Sequence, residues 1–328
     1  MATVNVGVIG AGVLGSFHLQ KCQKNNDVEL CGFYDLSKDR RAQVSEKLGV
    51  VAFDTPQSLI ARCDALIVAT PSSTHVDMAM RCLDAGKHVL VEKPLAPSYE
   101  QGRTLVARAK ERNLVLHVGH SEAFNAAFVK ILALGPHPRF IEIHRLAQFS
   151  PRGTDVPVVL DLMVHDLQLL LRLCKEEPLY DKIAATGVAV ISDDIDIANA
   201  RIPFPSGCVV NLTASRISAK RMRKLRLFER DNYYSVDLDK EEIEHYSLTR
   251  NGAASPAAAP GTPLPAGLPI AFSCETVPHA DALETELAAF VGDIRGGAEP
   301  SGIKGDEALS VLKITDTILS LISRNPVS

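Results

Sequence analysis

The stretch "GVIGAGVLG" (7–15) constrains the fold more than any other. It closes a short apolar run, "VNVGVIG" (4–10), and leads into "GSFHLQKCQKN" (15–25), which has the texture of a helix. Gly10, Gly12 and Gly15 thus stand at a strand-to-helix junction in the order Gly-x-Gly-x-x-Gly. Each glycine has a physical job there: a tight turn, close approach of backbone to a pyrophosphate, and close helix–strand packing. The N–H groups at the start of the helix, around Val13 and Leu14, and the positive end of its dipole suit phosphate oxygens. A second apolar run, "VELCGFYD" (28–35), ends in Asp35, twenty residues after Gly15, where a carboxylate accepts hydrogen bonds from a ribose diol. The expectation is a dinucleotide site made by Gly10, Gly12, Val13, Leu14, Gly15 and Asp35. Asp35 favours NAD, because a 2′-phosphate would meet a like charge. Ser37, Lys38, Arg40 and Arg41 follow closely and offset that charge, which keeps NADP open.

The same alternation continues to residue 120. Strand-like runs at "VVAF" (50–53), "ALIVAT" (65–70), "HVLVEK" (88–93) and "LVLHVGH" (114–120) are separated by helix-like segments at 37–49, 58–63, 75–86 and 98–113. Strand and helix in turn predict an α/β, doubly wound, mainly parallel sheet. Beyond 140 the texture changes. "FIEIHRLAQF" (140–149) and the runs at 184–192, 195–204, 208–217, 224–231 and 233–239 alternate in the manner of half-buried strands joined by tight turns. They predict an α+β second part with an open antiparallel sheet. The division expected is a dinucleotide-binding domain over 1–120 and a second domain over 121–328, to which the resemblance described below assigns the substrate and oligomerisation. The amphipathic helix at 306–324 is expected to return to the first, and "NGAASPAAAPGTPLPAGLP" (251–269) to be an exposed loop.

Composition removes several classes of function. The chain has 328 residues and a formal net charge of −4, without the basic footprint of a nucleic-acid binder. No apolar run approaches the roughly 18 residues that span a bilayer. The opening "MATVNVGVIG" lacks the basic region and cleavage site of a secretory signal. Seven scattered cysteines without a CxxC pair suggest reduced thiols in the cytoplasm, and the His and Cys spacings suggest no metal site.

Two further stretches carry ionisable groups in unusual places. "VVLDLMVHDLQLLL" (158–171) sets Asp161 and His165 one helical turn apart in a greasy run, a pattern that also fits a purely structural pair. "GKHVLVEKP" (86–94) ends a strand in Glu92-Lys93-Pro94, and "ATPSSTH" (69–75) ends the strand before it. Together these motifs resemble those of the glucose–fructose oxidoreductase, inositol dehydrogenase and rhizopine-catabolism family, over almost the whole chain. The resemblance implies a Rossmann domain joined to an open antiparallel sheet, a nicotinamide cofactor, and oxidation or reduction of sugar-like alcohols. It places Lys93, Asp161 and His165 in the catalytic set, and Thr70, Pro71, Ser72, His75, Glu92 and Lys93 beside the cofactor. It also implies a homodimer or homotetramer formed through the second sheet.

The chemistry suits those residue types. Oxidising a secondary alcohol needs a base with a near-neutral pKa for the hydroxyl proton, and histidine is the usual candidate. A lysine ammonium beside the developing alkoxide stabilises charge that grows in the transition state. His165 is expected as proton acceptor with Lys93 as electrostatic partner, or the reverse.

The stretches at 118–125, 145–171 and 212–238 resemble a narrower branch, the bacterial dehydrogenases that oxidise the 3-hydroxyl of UDP-N-acetylglucosamine. That resemblance implies a UDP-sugar substrate and coupling to a pyridoxal-phosphate aminotransferase in lipid A synthesis. His120, Glu122, Asn125, Arg145, Arg152, Arg216 and Lys224 are the candidate substrate contacts, with Lys220 and Arg223 as further cations for the two phosphates. The branch reads Glu-Arg-Phe-Asn where this chain has Glu122-Ala123-Phe124-Asn125. Two alternatives remain: the same chemistry on a free sugar or cyclitol, and a nicotinamide-binding sensor without catalysis.

Overall fold

The computed structural model describes residues 3–150, 156–248, 269–297 and 302–324. It divides into two compact units, one of residues 1–124 with 281–313, the other of 125–280 with 314–328.

The first unit is built on a five-stranded parallel sheet in the order β2-β1-β3-β4-β5. Its strands are β1 (Val4–Ile9), β2 (Val28–Tyr34), β3 (Ala65–Val68), β4 (His88–Glu92) and β5 (Leu116–Gly119). Every residue of β3 and β5 is buried, as a strand covered by helices on both faces must be. The helices are α1 (Val13–Lys24), α2 (Lys38–Leu48), the short α3 (Pro56–Ile60), α4 (His75–Asp84) and α5 (Tyr99–Glu111). Local chemistry sets their ends. Ser37 caps α2 by accepting from Arg40 N–H, and Gly49 ends it in the left-handed conformation that glycine adopts without strain. Ser98 caps α5 in the same way as Ser37. The expected strand at 50–53 is reduced to one bridge, between Ala52 and Phe33.

A late segment completes this unit. Helix α8 (Ala282–Ile294) inserts Leu287, Phe290 and Val291 into the core formed by Val6, Val8, Leu19 and Phe33. Asp281 caps it and pairs with Lys21 of α1.

The second unit holds an eight-stranded sheet in the order β13-β12-β11-β10-β6-β9-β8-β7. Its strands are β6 (Phe140–Leu146), β7 (Ala184–Val188), β8 (Ile197–Pro203), β9 (Val209–Ser215), β10 (Met222–Phe228), β11 (Asn232–Asp237), β12 (Glu242–Leu248) and β13 (Ile270–Thr276). Neighbours are antiparallel except β6 and β9, which run parallel, so the sheet is mixed rather than purely antiparallel. Burial alternates along β6, β8 and β9, giving the sheet one packed face. Phe140, Phe228, Tyr233, Tyr246 and Phe272 form a cross-strand aromatic ladder over five strands, with centroids 4.7–5.6 Å apart. Two helices, α6 (Ala126–Ala133) and α7 (Val164–Cys174), belong to this unit.

The last helix, α9 (Gly305–Arg324), contributes its residues through Lys313 to the first unit and the rest to the second. All seven cysteines are free thiols. Among the described residues no helix is long and apolar enough to cross a membrane. The expected loop at 251–269 falls almost wholly outside the described residues.

Candidate active site

The glycine turn has the geometry that a dinucleotide site requires. Gly10 sits at φ 92°, and a Cβ there would lie 2.6 Å from the Ala69 carbonyl oxygen. A Cβ on Gly15 would overlap the Gly10 carbonyl, so α1 can approach this closely only without one. Around Gly12 the reverse holds: a Cβ would meet nothing within 4 Å, which leaves the room a pyrophosphate takes. No side chain caps the N-terminus of α1, so its first N–H groups, at Val13 and Leu14, point toward that space. Asp35, buried beyond the end of β2, accepts from the Ala11 N–H at 2.8 Å and from the Ser37 N–H at 2.9 Å. Arg40 reaches to 3.5 Å from Asp35 Oδ2, and Arg41 donates to the Asp35 carbonyl at 2.7 Å. These residues fit a nicotinamide dinucleotide.

The ends of β3 and β4 carry the next group. Thr70, Pro71 and Ser72 form the turn after β3, leading into His75 at the start of α4. His75 is buried and spans two carbonyls, Nε2 to Thr70 O and Nδ1 to Pro94 O, both at 2.8 Å. It therefore ties the turn after β3 to the turn after β4. That second turn contains Lys93, half-buried, joined to Pro94 by a cis peptide. Glu92 is the last residue of β4, and its Oε2 accepts from the Lys93 N–H at 3.3 Å. Its Oε1 lies 2.6 Å from Nε2 of His18, a fully buried ring on α1. Glu286 of α8 lies behind them and is wholly buried. His18 and Glu286 escaped the sequence reading, because one resembles helix filler and the other lies far along the chain. Neither stands out locally, since His18 shares α1 with Gln20, Lys21, Gln23 and Lys24, and Glu286 shares α8 with Glu284 and Asp293. His120, just beyond β5, is buried in the same unit, and Glu122 is half-buried in the following turn.

In the second unit, the helix expected over 158–171 is not uniform. Val159–Met163 is a π-helical turn, in which Val164 N–H reaches back to the Val159 carbonyl, and α7 begins only after it. Asp161 lies in that wider turn and His165 in the first turn of α7, both half-buried. Such turns recur at functional sites.

Several candidate substrate contacts have partners in the protein itself. Arg145 is buried on β6 and grips Asp166 of α7, with Nε 3.0 and 2.9 Å from the two carboxylate oxygens and Nη2 2.8 Å from Oδ1. Arg216 is buried as well; Nε donates to Asp196 at 2.9 Å, Nη1 to the Val156 carbonyl and Nη2 to the Ile195 carbonyl. Both guanidinium forks are thus spent on internal acceptors rather than turned to a diphosphate. Burial alone would raise the Asp196 carboxyl, but the Ser192 hydroxyl and the N–H groups of Ser192, Ile191 and Val190 hold it well below the usual carboxylate range. Asn125 caps α6 by accepting from Phe128 N–H, and its amide donates to the Leu238 carbonyl. Lys224 is half-buried on β10, opposite His144 of β6 and Asp237 of β11. Arg152 lies outside the described residues.

The chain is similar to known oxidoreductases. Residues 4–120 match the model of an oxidoreductase family with an NAD-binding Rossmann fold. The UDP-N-acetylglucosamine 3-dehydrogenase of Acidithiobacillus ferrooxidans is 36% identical over 295 residues, which is 90% of each chain. A solved structure of that enzyme superposes with a TM-score of 0.89, covering 99% of both chains at 34% identity. The inositol 2-dehydrogenase of Rhizobium meliloti is 25% identical over 94% of each chain.

Proposed function

Since the chain belongs to this NAD-binding Rossmann oxidoreductase family and is a dehydrogenase of alcohol groups, we propose that its substrate is a UDP-linked amino sugar, oxidised at the 3-hydroxyl. The observation that carries the reading is the likeness to a UDP-N-acetylglucosamine 3-dehydrogenase over nine-tenths of both chains, with Lys93, Asp161 and His165 all present. The inositol 2-dehydrogenase of Rhizobium meliloti also spans nearly the whole chain, but at 25% rather than 36% identity.

The cofactor is NAD rather than NADP. Asp35 is fixed by two backbone N–H groups, so its carboxylate is pre-oriented for a ribose diol and repels a 2′-phosphate. The glycine turn and Asp35 would hold the dinucleotide, and its nicotinamide would supply the acceptor for the hydride of the carbinol carbon. His165 takes the hydroxyl proton on a ring nitrogen, and the Lys93 ammonium stabilises the oxygen as its negative charge develops. Asp161 hydrogen-bonds the neighbouring sugar hydroxyls or orients the imidazole. With Arg145 and Arg216 occupied inside the protein, and Arg223 3.4 Å from Asp239, the diphosphate falls to Lys220, Lys224 and Arg152. The chain works as a homo-oligomer, and its ketone product is the natural substrate of a pyridoxal-phosphate aminotransferase.

The test is turnover of the purified protein with NAD or NADP against UDP-sugars, free hexoses and inositols, followed at the reduced-nicotinamide absorbance. An aminotransferase trap draws off the ketone. Reduction of NAD only with UDP-N-acetylated sugars is the expected result. Turnover of cyclitols with indifference to UDP-sugars would overturn the substrate assignment.

A further inference from the structure

Beneath Lys93 lies a cluster that the dehydrogenase reaction does not obviously need. His18 of α1, Glu92 of β4 and Glu286 of α8 are all buried, and one ligand atom from each lies within 4.8 Å of the others. The Glu92 carboxylate leans on Gly119, its register partner in β5, where a Cβ would come within 2.9 Å of Oε2. It is held from one side by His18 Nε2 and turns its other oxygen to the Lys93 N–H. No side chain among the described residues donates a hydrogen bond to either Glu286 oxygen, and the His120 backbone amide is the one donor turned toward it. Two ionised carboxylates this close and this deep would each pay a large desolvation penalty as well as their mutual repulsion.

A divalent cation is one way to relieve such a cluster, and protonation is the other. The geometry favours the proton. Donors on a tetrahedral ion at about 2.1 Å sit roughly 3.4 Å apart, whereas His18 Nε2 and Glu92 Oε1 are 2.6 Å apart, the spacing of a direct hydrogen bond. The cluster is already closed on that side.

We propose that Glu286 and His18 are positioning residues for Lys93: Glu286 is an uncharged carboxylic acid behind Glu92, and His18 is the ring that fixes the Glu92 carboxylate. The Glu92 carboxylate is then the single negative charge of the cluster, held by the His18 ring and the Lys93 N–H, and the Lys93 ammonium is presented from a rigid base. The groups facing Glu286 are consistent with this. Burial, then the Glu92 charge, push its carboxyl well above the usual value, and only the His120 backbone amide works the other way. The nearby His117 ring pairs at 2.9 Å with Asp293, also of α8, so that carboxylate has its own partner. The inference rests on Lys93 being the cation at the substrate hydroxyl, but the protonation of Glu286 does not.

The experiment compares the full chain with Glu286→Gln and Glu286→Leu, by two readouts that need no turnover. The first is the infrared carbonyl band of a protonated carboxyl at pH 7, which is expected in the wild type and absent from Glu286→Gln. The second is the carbon-13 signal of dimethylated Lys93, assigned with Lys93→Arg. It is expected unchanged in Glu286→Gln, which keeps shape and neutrality, and moved in Glu286→Leu. Turnover then follows the same order: within about twofold of wild type for Gln, about tenfold lower in kcat for Leu, with NADH affinity unchanged in both. A missing infrared band, a Lys93 signal indifferent to Leu, or a stoichiometric divalent metal lost on Gln substitution would each overturn the proposal. A wild type inactive on every sugar, with both spectroscopic results as expected, would instead reject the substrate reading alone.

Discussion

The Ala11 N–H, between the first two glycines of the turn, donates to Asp35 Oδ2 at 2.8 Å. This bond joins the phosphate-binding turn after β1 to the acid after β2, so the two ends of a dinucleotide's adenosine half are set by one contact. The second oxygen is oriented by Ser37 N–H at 2.9 Å.

Replacing that acid should therefore change cofactor choice more than it changes the fold. In Asp35→Ser the ribose loses charge-assisted hydrogen bonds worth about 1.5–3 kcal/mol each. The 2′-phosphate loses its repulsion and gains Arg40, now 3.5 Å from the carboxylate. The ratio of kcat/KM for NAD to that for NADP is expected to fall by about 10²-fold or more. Initial rates with both cofactors measure it. An unchanged ratio would mean that Asp35 serves only to brace the glycine turn.

The catalytic assignment makes a different demand. Lys93→Ala and His165→Ala should each lower kcat by about 10²–10⁴, the range for electrostatic and acid–base groups. Binding of NADH, followed by its fluorescence, should move by less than about threefold. The pH profile of kcat should lose its acidic limb in His165→Ala if the imidazole takes the proton. Retention of that limb, with its loss in Lys93→Ala, would exchange the two roles.

What the sequence makes legible here is what is local. Gly10, Gly12 and Gly15 and the junction they occupy lie within nine residues, and each strand before β6 is a short apolar run whose helix follows at once. Glu92-Lys93-Pro94 is readable for the same reason. The roles of Arg145 and Arg216 are not, because they depend on register and on what packs above the sheet. On β6 the buried positions are Ile141, Ile143 and Arg145, so the arginine falls on the inward face, and the acid it meets belongs to a helix twenty-one residues on. Nothing in "RLAQF" distinguishes an inward arginine from one that faces a phosphate. The widened turn at 159–163 is equally hidden, since its residues suit an α-helix. Glu286 is invisible until α8 returns to the first sheet.

Asp196 gives the chain an acid-sensitive point. Its carboxyl is held well below its ordinary value near 3.8, so it binds fewer protons folded than unfolded. The stability it contributes is therefore complete above that ordinary value and is lost as pH falls toward the lower native one. Asp196→Ala also strands Arg216 without its carboxylate, and should cost about 3–5 kcal/mol at pH 7. The difference from wild type should shrink below pH 4. Urea unfolding at pH 7 and pH 3 measures both; a constant difference would show that ionisation is not what Asp196 contributes.

The Arg145–Asp166 pair separates a structural role from a substrate role. Asp166 follows His165 directly, so the pair anchors the start of α7 to β6. Arg145→Met leaves a buried carboxylate uncompensated and should cost about 3–5 kcal/mol, whereas Arg145→Met with Asp166→Leu removes both charges and should recover most of that loss. The cycle is read from urea unfolding of the two single variants, the double variant and wild type. In parallel, with the proposed UDP-sugar as substrate, KM in the double variant should stay within about threefold of wild type, because the guanidinium is held by Asp166. A KM raised about tenfold or more in a double variant of normal stability corresponds to about 1.4 kcal/mol of lost binding, and would return Arg145 to the substrate site.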